Sequence, residues 1–250
     1  MIVWTPWKNT KKKVSNENTF DWRPSQHLEG PTLTVTQLRF SHSGEFLLAV
    51  CRDRTFHLYR RDSNDLNLMV QCSSLVKNTS PHARIIWTAD WSHDDQIFAT
   101  GSRDLKVRWF QQILLLFNIC FFLNQIMLWD RQEVIASGMD QQPSPAFTVG
   151  PLKSAITALS FAPCGSNSNY LFAAGLESGE IVLFKVSKSE GKWGAVEVEK
   201  FNTDICPAKS ISKLTFQPKN DSNYDKLILA CSSTDWSVRL FEVAVPSICC

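Results

Sequence analysis

An all-β fold of stacked antiparallel sheets is predicted from the sequence by three observations. Four times an apolar strand ends in a short polar turn and resumes as a second apolar strand closed by an aromatic. These copies read FLLAVCRDRTFHLY from Phe46, IFATGSRDLKVR from Ile97 with LW resuming at Leu128, LFAAGLESGEIVLF from Leu171, and LILACSSTDWSVRLF from Leu227. Upstream of each lies an alternating strand with an aromatic at its end: VTQLRF to Phe40, TADW to Trp91, ITALSF to Phe161 and ISKLTF to Phe216. Nine Trp and sixteen Phe in 250 residues supply the large apolar area that sheet packing uses. A repeated hairpin cannot bury its apolar faces alone, so each copy must stack on its neighbours.

The spacing assigns the elements in order. From the turn residues Asp53, Asp104, Ser178 and Asp235 to the closing aromatics Tyr59, Trp129, Phe184 and Phe241 the separations are 6, 25, 6 and 6. The resulting units cover 22–61, 82–131, 152–187 and 210–243, preceded by a partial unit and linker over 1–21 and followed by a tail over 244–250. In 1–21, MIVWTPW reads as the closing strand of a unit whose earlier strands are missing. Polar or Pro-containing connectors fill 62–81, 131–153 and 187–210, the second carrying QQPSP at Gln141–Pro145. An array with open sheet edges is expected to be poorly soluble by itself.

The second unit is interrupted by nineteen residues, Trp109 to Met127, without charge, Gly or Pro. Hydropathy alone makes this segment a transmembrane candidate, because about 20 apolar residues span a bilayer as a helix. Its flanks oppose that. Lys106–Arg108 and Leu128–Trp129 are expected to form one continuous strand, whereas a spanning helix holds its ends about 30 Å apart. The preferred reading is translated intron or misjoined exon sequence, since pyrimidine-rich stretches read as Phe, Leu and Ile. A lineage-specific insertion and a membrane span are the alternatives.

The remaining chemistry is spare. A formal charge of +2 identifies no partner, and Lys8 with Lys11–Lys13 is a short basic run that reads as a solvated loop before a nuclear signal. Eight cysteines show no CxxC spacing, which with no secretory leader at Met1–Trp7 points to reduced thiols. Cys249–Cys250 resembles a prenylated tail, although no GTPase motif accompanies it. There is no P-loop, GxSxG or HExxH. His27, His42, His57, His82 and His93 fall on separate units or loops, and Asp94–Asp95 sits in a turn like that at Ser41–Gly44. No catalytic residue, cofactor site or metal site is assigned.

HARIIWTADWSHDDQIFATGSRDLKVR, resumed by LWD at Leu128–Asp130, resembles a WD repeat with its loop histidine, Gly-Ser-x-Asp turn and closing Trp-Asp. The resemblance implies a WD-repeat β-propeller, here about four blades of an incomplete ring. It also implies a hydrogen-bonded network of His82, Thr100 or Ser102, Asp104 and Trp129 that fixes a blade, with a structural rather than catalytic role. The other copies depart from this pattern, since Asp53 and Asp235 lack a well-placed loop histidine and Ser178 replaces the Asp.

A sharper resemblance, from Trp22 to Val243, is to the second propeller of the WD-repeat scaffold of Elongator, a complex that modifies wobble uridines of tRNA through another subunit. It implies a noncatalytic scaffold whose partners are other Elongator subunits, with tRNA touched only indirectly or weakly and no small-molecule substrate. The expected location is the cytoplasm, with the nucleus as a second address. A WD-repeat adaptor of another complex is the alternative, and a membrane-anchored propeller is disfavoured. Equivalent turns of consecutive blades share one rim, so Arg52, Arg54, Arg84 and Arg103 are the candidate partner contacts, Arg being suited to bidentate pairing across an interface.

Overall fold

In the computed structural model, residues 2–8, 20–65, 68–78, 80–103, 124–164, 169–201, 204–218 and 226–244 are described. A two-stranded antiparallel sheet, β1 (Ile2–Lys8) and β2 (Phe20–His27), comes first. The first full blade is β3 (Val35–Phe40), β4 (Phe46–Cys51), β5 (Phe56–Arg61) and β6 (Met69–Ser74). The second is β7 (Ile86–Trp91), β8 (Ile97–Ser102), β9 (Asn124–Asp130) and, after a short helix α1 (Arg131–Ser137), β10 (Phe147–Leu152). The third is β11 (Ile156–Phe161), β12 (Asn169–Leu176), β13 (Ile181–Ser189) and β14 (Lys192–Lys200). The fourth has three described strands, β15 (Ile211–Phe216), β16 (Lys226–Ser233) and β17 (Val238–Ala244). Every described sheet runs in sequence order with antiparallel neighbours, and among the described residues the sheets do not close into a ring.

Period-two alternation sends successive side chains to opposite faces, and each face meets a different neighbouring blade. Phe46, Leu48, Val50, Phe56 and Leu58 of the first blade pack on Ala89, Trp91, Phe98, Met127 and Trp129 of the second. Ile97, Ala99, Ile126 and Leu128 meet Leu159, Phe161, Phe172 and Phe184 of the third, and Leu171, Ala173, Ile181 and Leu183 meet Leu214, Phe216, Leu229 and Phe241 of the fourth. At Gly101 and Gly175 the blades approach too closely for a side chain. An added Cβ would lie 2.6 Å from Ile156 Cγ2 and 2.6 Å from Ile211 Cγ2 respectively.

Around the axis, polar side chains of one inner strand bind the main chain of the next. Gln37 Oε1 accepts from Ala89 N at 2.9 Å, Thr88 Oγ1 from Leu159 N at 3.1 Å, Asp90 Oδ2 from Phe161 N at 2.8 Å and Ser160 Oγ from Phe216 N at 3.2 Å. These bonds satisfy edge-strand groups that have no strand beside them. The inner strands of all four blades line an axial groove of about 230 Å³ that includes Arg39, Trp87 and Lys213.

The interrupted unit differs from expectation. Asn124–Met127, counted within the insertion, belong to β9, with Gly101 opposite Ile126, Thr100 opposite Met127 and Phe98 opposite Trp129. Lys106–Arg108, expected to begin that strand, lie outside the described residues, as do Asp104 and 109–123. The physical reason is burial. Met127 fills the apolar layer between the first two blades, where Arg108 in the expected strand would have buried a guanidinium. Among the described residues no helix is long and apolar enough to cross a membrane.

Candidate interaction rim and the networks beneath it

In the first, third and fourth blades the second strand leads to the third through a tight turn with one residue in the left-handed region. Arg54 (φ 72°), Gly179 (φ 90°) and Trp236 (φ 69°) hold this place in the first, third and fourth blades. At Gly179 a Cβ would collide with the Pro207 carbonyl oxygen, so glycine is required by close approach as well as by φ. These turns and the connectors entering each inner strand share one rim. Arg52 N donates to Thr34 O at 2.9 Å, Glu177 N to Ala155 O at 2.9 Å and Thr234 N to Ser210 O at 3.0 Å, repeating the same turn-to-connector bond.

Within the second blade, the structure brings together three of the residues singled out from sequence. His82 Nε2 lies 2.8 Å from Thr100 Oγ1, and Trp129 Nε1 donates to the same oxygen at 2.9 Å. All three are fully buried, so each polar atom needs this partner. Ser102 stands apart from that triad. Its hydroxyl reaches the Arg84 and Ile85 carbonyls at 3.2 and 2.9 Å and ties the strand end to the connector. Asp104 lies outside the described residues.

The first blade holds a network that sequence reasoning missed. Asp53 Oδ2 accepts from Thr32 N at 3.1 Å and Thr32 Oγ1 at 2.7 Å, while Oδ1 accepts from Thr55 N at 3.2 Å and from the Thr55 hydroxyl. With that hydroxyl proton spent on Asp53, His57 Nε2–H donates to Thr55 Oγ1 at 3.1 Å, and Nδ1 accepts from Gln71 Nε2 at 3.1 Å. Burial works against the charge on Asp53, but the Thr55 and Thr32 hydrogen bonds outweigh it and hold the carboxyl below its ordinary range. Burial lowers the pKa of His57, only partly offset by Asp53, and pushes the Cys51 thiol up to about 12. In the fourth blade Asp235 Oδ1 accepts from Ser237 N at 2.9 Å and Oγ at 2.6 Å.

The four arginines divide. Arg52 and Arg84 are exposed, and Arg54 lays Nη2 on the Lys77 carbonyl at 3.2 Å while its own carbonyl accepts from Ser80 Oγ at 2.6 Å. Arg103 is engaged within the chain, donating to both Glu177 oxygens at 2.8 Å and bridging the second and third blades. Sequence reasoning also passed over Trp236, 97% exposed on the same rim. Among the described residues no group of three or more His, Cys, Asp or Glu is placed to hold a metal ion.

The family model described as "WD domain, G-beta repeat" matches residues 22–60 and 73–111. Elongator complex protein 2 of Danio rerio is 31% identical over 92% of the chain, and that of Saccharomyces cerevisiae 32% identical over 92%. The protein of the same name from Homo sapiens is 34% identical over 69% of the chain. The chain spans only 28%, 25% and 19% of those three proteins respectively. Among solved structures, the WD40 repeats of RRP9 superpose with a TM-score of 0.53 at 13% identity, covering 86% of this chain and 52% of that one, a likeness of fold alone.

Proposed function

We propose that this stretch of WD-repeat propeller, similar along nine-tenths of its length to Elongator complex protein 2, is a noncatalytic scaffold of the Elongator complex and supports wobble-uridine modification of tRNA. Other Elongator subunits are its partners, tRNA is touched indirectly or weakly, and it works in the cytoplasm, with the nucleus as a second address. The observation that carries the contact surface is the shared rim of Arg52, Arg54 and Arg84. Arg52 and Arg54 come from the first-blade turn and Arg84 from the connector entering the second blade, and a guanidinium fork suits a carboxylate on a partner. Arg103 has a lesser claim, because its fork is already filled by Glu177.

The test is co-purification. In the full-length protein, replacing Arg52, Arg54 and Arg84 together by Gln is expected to reduce recovery of the other Elongator subunits at least tenfold, about 1.4 kcal/mol of binding. Arg103→Gln alone is expected to leave recovery within twofold. Full recovery with the triple variant, its fold intact by circular dichroism, removes the rim from the interface.

A further inference from the structure

Ser-Pro occurs twice in the chain, at Ser80–Pro81 and Ser144–Pro145, and the fold treats the two differently. Ser80 is part-buried and spends its hydroxyl on the Arg54 carbonyl at 2.6 Å. Ser144 is exposed, and residues 142–145 belong to no helix, strand or turn. The segment is nevertheless held at both ends. Pro143 is buried, Gln142 Oε1 accepts from Val76 N at 2.8 Å, and Ala146 N donates to Leu128 O at 2.8 Å. A short irregular stretch is thus pinned on either side of one outward hydroxyl.

We propose that Ser144 is a phosphorylation site for a proline-directed protein kinase. A kinase cleft takes its substrate segment in extended form, toward which Pro143 and Pro145 bias the residues before them, Gln142 and Ser144, and no helix or strand need open there. The cleft also needs an exposed hydroxyl, which Ser144 offers and Ser80 spends on Arg54. Pro145 supplies the specificity. It has no main-chain N–H, so a cleft without an acceptor at the following position accepts it and penalises every other residue by burying an unpaired donor. In the reaction the Ser144 Oγ lone pair attacks the γ-phosphorus of ATP. The Oγ–P bond forms as the bond from phosphorus to the β-phosphate oxygen breaks, ADP leaves with that electron pair, and the hydroxyl proton passes to the kinase's carboxylate base.

The phosphate brings a charge of about −1.5 to −2. Gln142 touches Val76, next to Lys77, whose carbonyl holds Arg54. Modification therefore lowers the positive potential at the Arg54 end of the rim. That consequence rests on the proposed role of the rim, whereas the modification itself does not.

The folded chain is incubated with a purified proline-directed kinase and ATP, and phosphate is mapped by mass spectrometry. Phosphate is expected at Ser144 and absent from Ser80, while the urea-unfolded chain, diluted into the same reaction, takes phosphate at both. Pro145→Ala is expected to slow labelling of Ser144 by about tenfold or more, the factor that a buried unpaired N–H imposes. Labelling of Ser80 at equal or greater occupancy in the folded chain, or of Ser144 only after unfolding, overturns the proposal.

Discussion

A single hydroxyl at Thr100 serves two buried atoms, His82 Nε2 and Trp129 Nε1, so its loss removes a bond from each. Thr100→Val, close in shape, is expected to cost about 2 kcal/mol or more in urea unfolding, since each orphaned buried group costs about 1–3 kcal/mol. Thr234→Val, on an exposed turn, is expected to stay within about 0.5 kcal/mol. An equal effect at the two positions would refute the assignment. His57 makes stability depend on pH. Its pKa is lowered from 6.5 in the folded chain, so the unfolded chain binds the proton first. The stabilisation is complete above pH 6.5 and is lost as pH falls from there toward the folded value. Asp53, lowered from 3.8, adds a second loss below pH 3.8. A pH titration of the unfolding midpoint should show the first step in the parent and lack it in His57→Gln. In the second blade His82 and Thr100 were legible from their places before and in the strand, and Trp129 from the Leu-Trp-Asp that closes the unit. The first-blade network was not, because two threonines serve the carboxylate and threonine carries no positional signal there.

Stacking distance is set by residues that have no side chain to offer. Gly175→Ala places a Cβ against Ile211 and is expected to destabilise by about 1–3 kcal/mol, with part of that recovered when Ile211→Ala is added. Additive losses in the double variant would show that the two do not meet. Strand type and order could be read from alternation and turn chemistry at Phe46–Tyr59, Leu171–Phe184 and Leu227–Phe241, which the structure makes paired strands. The second blade could not be read so cleanly. Phe110 follows Asp104 by six residues, the separation found in the other copies, and the WD-repeat match runs through Gln111. In the structure, however, Trp129 stands opposite Phe98 as the closing aromatic. Val107, Arg108 and Trp109 alternate apolar and polar whereas Ile126, Met127 and Leu128 are all apolar, so period-two patterning alone favours the first. Pairing and burial choose the second.

Across the molecule the blades form an open arc, and the outward face of the fourth exposes Val238 and Leu240 at 74% and 70%. The equivalent Ile181 and Leu183 of the third blade are buried against the fourth. An exposed face of this kind drives association. Val238→Lys with Leu240→Glu is expected to reduce concentration-dependent association in sedimentation velocity, and unchanged sedimentation would exclude that face. The turn between β8 and β9 has a different consequence. Twenty-one residues, 103–123, join strands that four residues, 52–55, join in the first blade, yet the flanking register is intact. A flexible loop of twenty-one residues would cost only about 1.5 kcal/mol more to close than one of four, because loop-closure entropy grows with the logarithm of length. Because the chain leaves and re-enters the sheet at neighbouring points, this turn is a port. A foreign domain whose own termini lie close together could be spliced there, and the arc would carry it as cargo without altering how its blades stack.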